Sequence, residues 1–134
     1  MLLDELALYL QTQGLGTVGT TIFKGTLPDQ PDACTAVFEY AGLPSEKTFS
    51  PTPGAAVEEK PRVQIVCRGI KQDYQTPRTQ ADAIWKALDG LGNVTMSGTG
   101  YLWIEALQSP FLMRRDENER VYIAVNYQVM KRLS

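Results

Sequence analysis

The chain has 134 residues, 43% hydrophobic and 21% charged, with a formal net charge of −2 and a sequence pI near 5.1. That predicts one domain over 1–134 that folds without metals or disulfides, and it excludes a disordered chain and a basic, phosphate-reading surface, so no direct nucleic-acid recognition is expected. No apolar run approaches the ~20 residues of a membrane span, and Met1-Leu2-Leu3-Asp4-Glu5 has no basic n-region, so neither a membrane partner nor a signal peptide is expected.

Leu2, Leu3, Leu6, Tyr9 and Leu10 recur at helical spacing, and Asp4 and Glu5 in the first turn suit the helix dipole. Gly14 and Gly16 stop that helix. Thr20–Thr26 reads as a strand from Thr21, Ile22 and Phe23, closed by the turn Leu27-Pro28-Asp29-Gln30-Pro31-Asp32. Ala33–Tyr40 alternates as a second strand, with Cys34, Ala36, Phe38 and Tyr40 on one face.

From Ala41 to Pro61 the periodicity is lost, and Pro44, Pro51, Pro53 and Pro61 mix with glycine and charge. This predicts a long irregular arm at about 41–61, a kind of segment that is uncommon in a compact domain unless it is functional or disordered. Its few large apolar side chains suggest an arm that orders only on a neighbouring copy.

Arg62–Gly69 alternates again, with Val63, Ile65 and Cys67 on one face. Thr76-Pro77 offers an N-cap followed by proline at the first helical position, and Ala81, Ile84, Trp85 and Leu88 form the buried stripe of a second helix ended by Gly90 and Gly92. A short Val94–Met96 segment precedes strands at Gly100–Leu107 and Phe111–Arg115. The acidic turn Asp116-Glu117-Asn118-Glu119 then leads into a final strand, Arg120–Met130. The expected fold is α+β, in the order α-β-β-β-α-β-β-β, with both helices on one face of a mainly antiparallel sheet.

The chain has no histidine, which removes the commonest general base and the Ser–His and Cys–His nucleophile systems. Asp116, Glu117 and Glu119 in a turn, and Glu58-Glu59 in the arm, read as solvated loop charges. Cys34 and Cys67 read as buried, reduced thiols, since no CxxC spacing or further ligand builds a zinc site. Gly14-Leu15-Gly16-Thr17-Val18-Gly19 fits G-x-G-x-x-G, but a helix precedes it and a strand follows, the reverse of a dinucleotide site. No catalytic, cofactor or metal residue is assigned. Tyr101, Trp103 and Trp85 read as core, with partner contact as the alternative, and Arg114-Arg115 beside the acidic turn as a solvated hairpin end whose charges could pair between neighbours in a ring.

Several stretches together resemble a known family. The run Leu27-Pro28-Asp29 to Phe38-Glu39-Tyr40-Ala41-Gly42 is similar to the "LPDxPD…EYGG" stretch of small phage proteins known as minor capsid or tail-terminator proteins. Lys60-Pro61-Arg62-Val63-Gln64-Ile65-Val66 with Arg68-Gly69, Ser97-Gly98, Tyr101-Leu102, Ile104, Ser109-Pro110, Asp116-Glu117-Asn118 and Val125-Asn126-Tyr127 match the same pattern in order. Ala41 stands where the family pattern has glycine, at an expected turn.

The resemblance implies a structural virion protein at the tail–head junction, assembled in the host cytoplasm. In that family pattern six copies form a ring that ends the tail tube and docks the head connector. It implies as partners further copies of the chain, the major tail tube protein and a head–tail connector protein. As interface it points to the arm, with Lys47, Phe49, Glu58 and Glu59, and to the hairpin with Arg114, Arg115, Asp116, Glu117 and Glu119. The alternatives are another neck component, such as a head-completion or connector-adaptor protein, and a small monomeric ligand-binding or enzymatic domain.

Overall fold

The structure is a computed structural model and describes residues 1–47 and 56–132. Its elements are α1 (Leu2–Thr12), β1 (Ile22–Lys24), β2 (Cys34–Lys47), β3 (Ala56–Lys71), α2 (Gln75–Leu88), β4 (Leu91–Met96), β5 (Thr99–Ala106), β6 (Phe111–Arg115) and β7 (Arg120–Arg132). The strands form one sheet in the order β1-β2-β3-β7-β5-β4, and β6 shares with β5 the edge of β7 that β3 leaves open. All pairs are antiparallel except β1 and β2, which run parallel over Ile22–Lys24 and Thr35–Val37. The order thus gains a fourth strand after α2: the Val94–Met96 segment is part of β4.

Both helices cover the same face. Leu6, Ala7 and Leu10 of α1 and Ile84 and Leu88 of α2 join one buried cluster with Val37, Val63, Ile65, Cys67, Ile123, Val125 and Val129 of the sheet. The opposite face carries a smaller cluster, Val66, Tyr122 and Ala124, packed by Leu27, Phe38 and Phe111. Because β7 is covered on both faces, it is buried along most of its length and shows little polar alternation.

Local chemistry places the helix ends. Gly14, at φ +78, follows α1 in the left-handed conformation a helix stop favours. The start of α2 differs from expectation: Thr76 lies inside the helix, and its N–H donates to the Asp73 carboxylate at 3.1 Å, so Asp73 does the capping. On α1, the buried Glu5 carboxylate accepts hydrogen bonds from Thr99 (2.5 Å) and Tyr101 (2.7 Å), tying the first helix to β5.

The irregular arm is corrected where it is described. Residues 41–47 and 56–61 extend β2 and β3 as a paired hairpin, to Lys47 opposite Ala56. Position 41 is therefore strand and not turn. Pro61 is accommodated at an irregularity that both neighbouring ladders skip, where the Gln128 side-chain amide donates to the Lys60 and Pro61 carbonyls. In the same irregularity Gly42 lies against the Lys60 carbonyl with no room for a Cβ. Proline content signalled loop, but a side chain supplies the hydrogen bonds that the ladder lacks there. The remainder of the predicted arm, 48–55, lies outside the described residues.

Candidate assembly surface

The loop Leu27–Asp32 cannot enter the sheet as a strand, since two prolines remove donors, yet it lies across the sheet face opposite the helices. Its carbonyls are met by Arg68 of β3, which is buried and donates through Nε to Asp32 O and through Nη2 to the carbonyls of Pro28, Asp29 and Pro31. Arg120 of β7 adds bonds to Asp29 O (2.6 Å), Asp29 Oδ1 (3.0 Å), Asp32 Oδ1 (3.1 Å) and Asp116 Oδ2 (2.7 Å). Asp116 also accepts from the Tyr122 hydroxyl and the Arg120 backbone N–H. Burial alone would push its carboxyl up; the Arg120 and Tyr122 donors outweigh that and hold it well below the usual carboxylate range. The Arg68 and Arg114 guanidinium groups lie 5.7 and 4.5 Å from the Tyr122 ring centre.

This network redistributes the predicted interface residues. Asp116 was expected to be a solvated charge, but its side chain is only 7% exposed and anchors Arg120. Arg114 rests over Tyr122. Glu119, at φ +60, accepts from Gln72 at 3.0 Å and pairs with Lys71 at 3.6 Å. Arg115 and Glu117 are exposed and make no hydrogen bond or ion pair among the described residues. Glu58 and Glu59 are half-buried strand residues of β3, opposite Arg132 and Lys131 of β7, and not loop charges. Lys47 ends β2, and Phe49 lies outside the described residues.

Sequence reasoning missed Arg68, Arg120 and Tyr122. A signal was present, because both arginines sit in strands otherwise filled with buried residues, where an unpaired charge would be costly. The sheet edges were also missed. Beyond Val37, β2 has no strand on its outer side, and β6 pairs with β7 alone among the described residues. Tyr40 and Leu43 are exposed at the first edge, Leu112 and Met113 at the second.

A cavity of about 300 Å³ opens between the end of α1 and the start of α2, lined by Leu15, Cys34, Cys67, Arg68, Thr76 and Gln80 among others, with no carboxylate in its wall. Both cysteines are free and buried; burial pushes the Cys67 thiol up to about 12 and raises Cys34 as well, the opposite of activation. Tyr101 is core, whereas a register shift in β5 turns Trp103 away to a half-buried position.

The fold is similar to that of a chain in a solved "Virion of native gene transfer agent (GTA) particle", with a TM-score of 0.59 and 18% identity over 96% of this chain and 94% of that one. No curated protein matches the sequence. The family model described as "Bacteriophage tail terminator protein" matches residues 9–131, and the chain belongs to that family. It is accordingly a structural protein of phage tail assembly and a virion component.

Proposed function

We propose that the protein caps the tail tube as a homo-oligomeric ring, of six copies, and offers the surface on which the head connector docks. Family membership across residues 9–131 carries this reading and favours it over another neck component. Two features support it physically: the β2–β3 hairpin runs on past Thr35–Val37, the stretch of β2 that β1 covers, and two strand edges bear exposed apolar side chains. Unpaired edges that stay unprotected invite a further strand. The partners are further copies, the major tail tube protein and a head–tail connector protein, at the tail–head junction of the virion.

The test is native mass spectrometry of the purified protein across concentrations, with electron microscopy of tails assembled with and without it. The expected result is a closed ring of one mass, and tubes of defined length only when it is present. A monomer at every concentration, together with tails of normal length in its absence, defeats the reading.

A further inference from the structure

Among the described residues the sheet has four free edges, and they are not equivalent. β1 is three residues long and leads into Gly25 at φ +71, which ends it. β4 keeps its register with β5, but Asn93 within it, at φ 52, is left-handed and breaks the regular run of its outer backbone groups. Two edges remain to accept a strand: the outer side of β2 beyond Val37, and the free side of β6, whose ladder with β7 shifts at Met113 and is regular again at Arg114 and Arg115.

These two edges lie on opposite sides of the sheet and complement one another. Within one copy β2 and β7 run in the same sense, each antiparallel to β3, and β6 runs against β7. A neighbour related by rotation about an axis to which the strands are tilted, as in a barrel, keeps their sense and therefore brings its β6 antiparallel to β2. The faces agree too. Arg115 is opposite Val121, on the helix-covered side, and Arg114 is opposite Tyr122, on the other. Two residues from Val37, Glu39 lies on the helix-covered side, and Tyr40 lies on the side of Phe38. The charges are opposite, and neither Glu39 nor Arg115 has a hydrogen-bond or ion-pair partner among the described residues.

We infer that neighbouring copies join by strand addition, the free edge of β6 in one copy pairing antiparallel with β2 near Phe38–Leu43 of the next. Glu39 then faces Arg115 across the helix-covered side, and Tyr40 meets Arg114 on the other. The contact is head-to-tail, the kind that closes into a ring when its rotation allows. It is also staggered: β6 sits level with the part of β2 that β1 already covers, so the joined sheet steps along its strands, as the strands of closed barrels do. This rests on the ring reading above and specifies its joint.

The experiment compares wild type, Glu39→Arg, Arg115→Glu and the double charge swap by native mass across concentrations, with circular dichroism to verify folding. Each single variant should need at least tenfold more protein to assemble, and the double variant should regain most of that loss. If a single variant loses its native spectrum, Glu39→Gln and Arg115→Gln take its place, with a smaller shift expected. A mixture of Glu39→Cys with Arg115→Cys should in addition form an oxidised heterodimer that neither forms with wild type. Wild-type rings with unaffected single variants would overturn the edge pairing while leaving the ring intact. A wild type that never assembles would overturn the ring and the joint together.

Discussion

The two faces of the sheet are sealed by different chemistry. On one, two amphipathic helices lay Leu6, Leu10, Ile84 and Leu88 on an aliphatic surface, and the seal is burial of apolar area. On the other, a proline-bearing loop is held by Arg68 and Arg120, and the seal is a set of directed, charge-assisted hydrogen bonds. The first rests mainly on area, with the Glu5 carboxylate as a buried charge, whereas the second rests on ionised groups throughout. A loop without a strand's hydrogen bonds can still cover a sheet if the sheet supplies the donors.

Removing the centre of the apolar seal should cost most. Leu6→Ala is expected to lower stability by about 3 kcal/mol, from lost transfer energy and the cavity left behind, as read by urea unfolding. Arg68→Met keeps the volume but leaves carbonyls of the 28–32 loop without a donor. A loss of about 2 kcal/mol is expected, together with protease cleavage confined to that loop. Cleavage elsewhere first would show that the loop is held by something other than Arg68.

Acid should separate the faces more finely. The Asp116 carboxyl is depressed in the folded protein, so its contribution is fully present above its ordinary value of 3.8 and is lost as pH falls below that. Amide exchange in the 27–32 loop should accelerate between about pH 4 and 2 while α1 and α2 stay protected. Simultaneous exchange of both regions would mean one cooperative unit.

Tyr127 tests the apolar side in the opposite direction. Its hydroxyl is buried without a hydrogen-bond partner among the described residues, so Tyr127→Phe should leave stability unchanged or raise it by about 1 kcal/mol in the same urea titration. The smallest effect is kinetic. Cys34 and Cys67 should resist a thiol reagent in the native protein at pH 8, with Cys67, the more deeply buried, reacting more slowly.

Much of the apolar seal was legible in the sequence. Leu2, Leu6 and Leu10 announce α1 by spacing, and Val121, Ile123, Val125 and Val129 announce β7 by alternation, because local periodicity and burial coincide there. The polar seal was not legible. Asp116 in an acidic turn looks solvated until Arg120 and Tyr122, four and six residues on, fold back upon it, and Arg68 meets the 28–32 loop from nearly forty residues away. The hairpin was misread for a related reason: Pro44 and Pro61 carry a local signal for loop, whereas Gln128, distant in sequence, completes the bonding at Pro61. Long-range side-chain bonds leave no period in the chain.

One consequence of the hairpin geometry concerns how such a chain can change over generations. The exposed side chains of β2, Glu39, Tyr40 and Leu43, contribute little to the subunit's own fold, so any exchange there is constrained by what the edge meets and not by the core. Gly42, among them, has no such freedom, because any side chain there would enter the Lys60 carbonyl. The subunit's own packing thus fixes one position of this edge and leaves the others to the surface that covers it.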